Sequence, residues 1–322
     1  MALARVYSAE AWFAHFGQPG AATTVAIGNF DGVHCGHQRI LERVMSRARR
    51  ENLMPAVLTF HPHPARVLRP AEAPPLLMTI EQRLTAIEAL GLDAALVMRF
   101  DQELAQLGPT EFVVRVLKET MNSRAVLVGE NFRFGHRQAG DARQLGEIGS
   151  QFGLEVEIVP SVIADGIVVS STAIRNALRA GEVEQAQRML GRPFALEGES
   201  RPGTGQGRKL VVPTLNLQAE QEMKPKNGVY ATEVTAGGKT YFAVTNVGVR
   251  PTFDGSGVTV ESHLFDFSDS LTSGRMEVRF RARLREERKF SSPEALREQV
   301  LRDIAQAREY FRNASFSSAE KA

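Results

Sequence analysis

At 322 residues the chain is long for one core and comfortable for two domains, and its 43% hydrophobic and 24% charged residues exclude disorder as the main theme. A single cysteine excludes an internal disulfide, and a formal net charge of +2 is too small to argue for nucleic acid by itself while suiting an enzyme of polyphosphates. No apolar run approaches the ~18 residues of a membrane helix, and Arg5, Glu10 and His15 fall where a signal peptide needs an unbroken apolar stretch, so no membrane association and a reducing cytoplasm are expected.

Thr24 to Ile27 is a short β-branched and apolar run, Gly28 and Gly32 mark a turn, and Ile40, Leu41, Val44, Met45 and Ala48 recur at helical spacing. The stretch reads as strand, turn and helix. Between strand and helix lie His34, Gly36 and His37, with Gly36 expected to leave room for the close approach of a ligand. A helix start offers unpaired N–H groups and the positive end of the dipole, and two imidazoles three residues apart can face one anion there. Capping or packing histidines, or metal ligands together with Asp31, Cys35, His61 and His63, are the other readings of these side chains.

The whole turn, Gly-x-Phe-Asp-Gly-Val-His-x-Gly-His at residues 28–37, resembles the signature of nucleotidyltransferases that move AMP or CMP from a nucleoside triphosphate. That resemblance implies attack on an α-phosphate with pyrophosphate leaving. Such a site supplies preorganised donors for the phosphoryl oxygens rather than a covalent nucleophile.

Met54 to Phe60 reads as a buried parallel strand ending in HPHP, residues 61–64, at the edge where open α/β sheets bind ligands. Helices are predicted over Thr79 to Leu90, stopped by Gly91, and over Pro109 to Met121, with strands at Ala94 to Met98 and Ala125 to Val128. The alternation implies a mostly parallel sheet covered on both faces. Residues 128–141, VGENFRFGHRQAGD, form a loop in which Phe132 and Phe134 can stack on a flat ring and Asn131 can read a ring edge. After a strand at Leu154 to Val159, Ser170, Ser171 and Thr172 precede a short helix, Ala173 to Leu178. Its Arg175 has a planar fork suited to phosphate.

In this order and spacing, GNFDGVHCGH, LTFHPHP, VGENFRFG and VSSTAIR look like the FMN adenylyltransferase module of prokaryotic bifunctional riboflavin kinase/FAD synthetases. The resemblance implies that His34, His37, Asn131, Ser171, Thr172 and Arg175 hold ATP and FMN. Gly28, Phe30 and Asp31 of the turn join them as binding residues, and His34, His37 and Arg175 form the catalytic group. Aminoacyl-tRNA synthetases share the His-x-Gly-His idea but pair it with a lysine-rich motif, whose place Val169 to Arg175 takes here.

Glu182 to Leu190 continues helical, Gly191, Arg192 and Pro193 break it, and the periodicity then becomes alternating. The boundary is therefore set at 190, giving domains 1–190 and 191–322. Gly203, Gly205 and Gly207 make a loop that can wrap phosphates, followed by Thr214-x-Asn216, two oxygen-bearing side chains on one face of an extended chain as Mg²⁺ with its phosphate would use. Strands are predicted at Val229 to Val234, Tyr241 to Val247 and Val258 to Phe267, with a tight turn at Gly237-Gly238 and with Arg250 at a strand exit. Met276 to Leu284 alternates apolar residues with Glu277, Arg279, Arg281 and Arg283, a half-buried strand with a basic outer face. A helix begins at Ser292 and Pro293. Antiparallel strands closed by one amphipathic helix make a small barrel.

This half resembles riboflavin kinase over nearly its whole length: the glycine loop, Pro-Thr-x-Asn, Asn-x-Gly-x-Arg-Pro-Thr-Phe, Glu-x-His-x-Phe-Asp-Phe at 261–267 and Leu-Arg-x-Glu-x-Lys-Phe at 284–290. The resemblance implies that Thr214 and Asn216 serve the Mg²⁺–nucleotide, with Gly203, Gly207 and Arg250 in the binding set. It makes Glu261 the base for the riboflavin 5′-hydroxyl. The chain departs from the pattern at Leu210-Val211-Val212 and at Leu271-Thr272-Ser273-Gly274. The expected protein is thus a Rossmann-like α/β nucleotidyltransferase domain followed by an antiparallel β-barrel kinase domain. It would use ATP, Mg²⁺, riboflavin and FMN, and no nucleic acid. An RNA-related ligase or binding protein built on the His-x-Gly-His domain and the arginine strand is the alternative, and a flavin or zinc-binding module a further one.

Overall fold

The computed structural model describes residues 2–17, 20–202, 214–252, 255–267 and 273–319. They fall into two compact units, Met1–Ser171 and Thr172–Ala322.

The first unit runs β1 (Ala4–Val6), α1 (Ala9–Phe16), β2 (Thr23–Ile27), α2 (Cys35–Glu51), β3 (Met54–His61), α3 (Pro64–Leu68), α4 (Ile80–Glu88), β4 (Ala94–Arg99), α5 (Gln102–Gln106) and α6 (Pro109–Glu111). It continues with β5 (Ser123–Gly129), a hairpin of β6 (Arg133–Phe134) and β7 (Gly140–Asp141), α7 (Ala142–Gln151), β8 (Glu155–Val159) and a second hairpin, β9 (Ile163–Ala164) with β10 (Ile167–Val168). Six strands form one parallel sheet in the order β1-β4-β3-β2-β5-β8. Their side chains alternate between two cores. Val25, Leu58, Leu96 and Val126 pack with Trp12 and Phe112, while Ala26, Val57, Ala95 and Leu127 pack with Leu41, Val44 and Leu84. Covering both faces is why these strands read as unbroken apolar runs. The chain moves outward from β2 through β3 to β4 and then restarts on the other side at β5, so the carboxyl ends of β2 and β5 diverge into a crevice.

Several elements depart from expectation: β1, α1, α7 and the two short hairpins were not predicted, the first hairpin forms within the loop expected over 128–141, and the strand expected to reach Phe267 ends at Leu264. The helix from Pro109 widens after its first turn into a π-helix over Phe112–Thr120. There Met121 N–H reaches Val116 O, five residues back, and the Thr120 hydroxyl donates to Arg115 O.

The second unit contains α8 (Ser171–Ala180), whose first residue closes the first unit, then α9 (Val183–Leu190), β11 (Phe194–Pro202), β12 (Thr214–Ala219), β13 (Gly228–Ala236), β14 (Lys239–Thr252), β15 (Gly255–Leu264), β16 (Gly274–Arg285) and α10 (Pro293–Ala319). The strands close an antiparallel barrel in the order β11-β12-β15-β14-β13-β16. On β16, Met276, Val278, Phe280 and Ala282 are buried and the intervening arginines point outward. α10 packs Ala307 and Phe311 on Val229, Ala231, Val244 and Phe265. The compact units part before residue 190, where the periodicity changes, because α8 and α9 pack with the barrel. Lys226 N–H donates to Leu178 O at 2.8 Å, and α9 lies against β11 and β16. Among the described residues no helix is long and apolar enough to cross a membrane.

Candidate functional site

β2 leaves the sheet at Gly28, whose N–H donates to Leu58 O of β3. The chain then turns sharply: Phe30, Gly32 and Val33 take φ of 49°, 88° and 39°. A buried β-branched valine in the left-handed region is costly and persists only where its surroundings dictate it. The turn delivers His34 as the N-cap of α2, with Nδ1 accepting from His37 N–H at 3.3 Å. The two imidazoles stack, centroids 3.6 Å apart and planes 17° from parallel, and Phe30 meets His37 edge-on at 5.1 Å. A Cβ on Gly36 would lie 3.1 Å from His34 Cε1 and 3.2 Å from its Nδ1. The glycine therefore makes room for the histidine ring folded over it, where room for a ligand was expected. His37 Nδ1 is sealed from solvent with no partner, and burial, with help from His34 and Arg83, holds the ring well below the usual imidazole pKa.

Asp31 is buried, and its carboxylate accepts from Leu77 N–H and Met78 N–H, each at 3.1 Å, which fixes the segment leading into α4. Its backbone carbonyl accepts the hydroxyl of Ser171, the last residue of the first unit, at 2.8 Å. Thr172 is exposed and Arg175, one turn into α8, is buried. His63 caps α3 through Nδ1, and His61 is held below its usual pKa by burial and by Arg83 and Arg66. Among the described residues no group of three or more His, Cys, Asp or Glu is placed to hold a metal.

A cavity of about 380 Å³ opens beside this turn at the carboxyl edge of the sheet. Gly28, Phe60, Phe100, Asn131, Phe132 and Phe134 line it. Phe132 and Phe134 are parallel to within 13° at 5.6 Å. Phe134 is largely core and Phe132 half-exposed, so Phe132 offers the freer ring face. Size and lining suit one flat aromatic molecule.

In the second unit β12 and β15 bring two expected residues into contact: Thr214 Oγ1 donates to Glu261 Oε1 at 2.7 Å. Asn216, Glu261 and Asn246 lie in register across β12, β15 and β14. Leu215 and Leu217 turn into the barrel, so Thr214 and Asn216 share its outer face, as the spacing predicts. Gly203 and Gly207 lie outside the described residues, as do Val211, Val212 and Thr272. Arg250 is placed by its backbone alone, on β14 opposite Gly257.

Just past the end of β15, between the start of β14 and α10, is a second cavity, about 410 Å³, lined by Tyr241, Phe242, Phe265, Asp266, Arg308 and Phe311. Phe242 and Phe311 stack at 4.1 Å, and Arg308 lies 4.8 Å over Phe265 while pairing with Asp266. Sequence reasoning missed this wall. Phe265 stood in the Glu-x-His-x-Phe-Asp-Phe motif, but Arg308 and Phe311 come from α10, predicted only as the amphipathic helix that closes the barrel. The arginines of β16 are engaged within the protein: Arg279 with Glu277, Arg281 with Glu233, Arg283 with Glu286 and Arg285 with Asp303. Each of these four arginines therefore has a carboxylate partner.

Known proteins show the same two-part pattern. Residues 18–173 match the FAD synthetase family and residues 190–311 the riboflavin kinase family. Bifunctional riboflavin kinase/FMN adenylyltransferases are similar over nearly the whole chain. That of Pseudomonas fluorescens is 41% identical over 88% of this chain and 91% of its own, and that of Escherichia coli K12 is 34% identical over 91% and 94%. A crystal structure described as a macrolide-efflux protein from Streptococcus pneumoniae superposes with a TM-score of 0.84 at 28% identity, covering 96% of this chain and 99% of that one. With both halves matched in order and curated relatives above 30% identity spanning both, the chain belongs to the bifunctional riboflavin kinase/FMN adenylyltransferase family.

Proposed function

We propose that residues 191–322 phosphorylate riboflavin to FMN and residues 1–190 join FMN to the AMP moiety of ATP, giving FAD and pyrophosphate. The observation that carries the first step is the Thr214–Glu261 hydrogen bond on the outer face of the barrel. An alcohol is a poor nucleophile, so the riboflavin 5′-hydroxyl needs a base within reach. Glu261, oriented by Thr214, takes its proton as the new O–P bond forms at the γ-phosphate and the bond to ADP breaks. The ring of riboflavin rests in the Phe242–Phe265–Phe311 cavity. Phe265 follows the last residue of β15 and is four residues from Glu261, at most about 13 Å of extended chain, roughly the reach of a ribityl chain. Thr214 and Asn216 are hard oxygen donors on one face beside a carboxylate, a set that fits Mg²⁺ held jointly with nucleotide phosphates. When bound, the ion supplies neutralisation of phosphate charge.

The second step needs no base, because the phosphate of FMN is already an anionic nucleophile. What it requires is a place for the nucleotide's α-phosphate. His34 and His37 at the start of α2 offer imidazole donors together with the positive end of the helix. Ser171, Thr172 and Arg175 are assigned to the nucleotide, and Asn131 with the Phe132 face to the flavin. Asp31 acts through the backbone it holds. Gly203, Gly207 and Arg250 complete the kinase's nucleotide site in this reading. The one cysteine and the need for ATP fit a cytoplasmic enzyme. Incubating the protein with riboflavin, ATP and Mg²⁺ and separating flavins over time tests the whole reading. FMN is expected first and FAD after it, and FAD without intervening FMN would overturn the order.

A further inference from the structure

Arg83 takes no part in the motifs, yet it is the largest charged side chain in the sealed interior, 1% exposed, in the first turn of α4. A cation there opposes the helix dipole. Among the described residues its guanidinium makes only two hydrogen bonds, both from Nη1 and both at 3.4 Å, to Thr59 Oγ1 and Phe60 O. Its Nε is buried without any acceptor. Asp31 attracts it, but no carboxylate among the described residues comes within ion-pair distance, and the Asp31 oxygens already receive the Leu77 and Met78 N–H groups. Thr59 and Phe60 lie at the carboxyl end of β3, and Thr59 in turn donates to Asn29 O of the glycine turn. The charge therefore sits beneath the crevice, near enough to His37 and His61 to bias both against protonation.

A buried, weakly bonded cation is an uncompensated cost unless an anion joins it. We propose that Arg83 is the fixed counter-charge of the nucleotide's phosphates in adenylyl transfer, a positioning residue that acts through the field it casts under the His34–His37 pair. The inference rests on the adenylyltransferase reading of this site and adds to it a residue that no motif contains.

A counter-charge that lacks its anion in the free protein predicts an unusual combination of effects. Arg83→Met, similar in length and apolar, should leave the thermal unfolding midpoint of the full chain unchanged or raised. FAD formation from FMN and ATP should fall about a hundredfold in kcat/KM, with KM for ATP carrying part of the loss. Arg83→Lys keeps the charge and should recover FAD formation to within about tenfold of the parent. FMN formation from riboflavin, the other unit's reaction, should be unaltered in both. Arg83→Met that keeps FAD formation within threefold overturns the proposal. So does a lowered midpoint with both activities falling together, which would make Arg83 a structural residue. Parent protein that makes FMN but no FAD would instead overturn the adenylyltransferase reading, and the inference with it.

Discussion

His37 carries two marks of a working residue: a ring nitrogen buried without a partner, and a pKa pushed well down by burial. In an unfolded chain an imidazole gains its proton near pH 6.5, while His37 in the folded protein resists it until far lower. Above pH 6.5 neither state is charged there. As pH falls below 6.5 the unfolded chain binds a proton that the folded one refuses, so stability declines toward acid until the folded value is reached. His61 shifts the same way and adds to that slope. His37→Phe should therefore flatten the acid-side loss of stability in denaturant titrations, and a slope identical to the parent's would contradict the burial argument. His37→Ala should also cost FAD formation on the order of 10²- to 10³-fold, the effect of losing one preorganised donor. Glu261→Gln should cost FMN formation by roughly 10²- to 10⁴-fold. Each should spare the other reaction, as assays begun with FMN or with riboflavin will show. At this scale the sequence singles out a side chain where it belongs to a local motif, as His34, His37, Thr214 and Glu261 do. Arg83 was invisible because its meaning comes from Thr59, Phe60 and Asp31, brought to it only by folding.

Among the elements, α10 links the barrel's stability to its cavity. Asp303, 2% exposed, receives Arg285 of β16 through two nitrogens, with Gln299 Nε2 at 2.7 Å, and one to two turns on the helix presents Arg308 and Phe311 to the cavity. Asp303→Ala removes the anion and strands a half-sheltered guanidinium, costing about 2–3 kcal/mol. Denaturant unfolding should show the second unit weakened. KM for riboflavin should rise, while KM for FMN in the adenylylation step stays unchanged. A variant equally weakened but with KM for riboflavin unaltered would separate α10 from the flavin. The long strands and most long helices of both units follow from periodicity, since parallel strands covered on both faces and half-covered barrel strands leave different apolar patterns, whereas β1, α1, α7 and the two short hairpins do not. The π-helix over Phe112–Thr120 did not, because its buried Phe112, Val113, Val116 and Leu117 fit an ordinary helical stripe as well. The barrel-side packing of α8 and α9 was also hidden: their amphipathic faces say that something covers them, not what.

At the scale of the molecule, the two reactions ask different things of one chain. The first has to deprotonate an alcohol, and the second has only to steady phosphates around a nucleophile that is already charged. Each unit has its own core and its own candidate cavity, and the residues assigned to the two steps fall in separate stretches of the chain, 1–190 for adenylyl transfer and 191–322 for the kinase. FMN made by the kinase can then leave one protein and be taken up by the adenylyltransferase of another. A mixture of full-length His37→Ala and Glu261→Gln proteins, each deficient in one step, should convert riboflavin to FAD. It should do so with a lag that shortens as total protein concentration rises, because FMN must first accumulate in solution. The parent protein at matched activity should show the same lag if FMN is released freely, and a shorter one if it passes within the chain. Failure of the mixture to form FAD, when each variant retains its unaltered activity, would mean that both sites must act in one molecule, and the division at the level of independent units would be wrong.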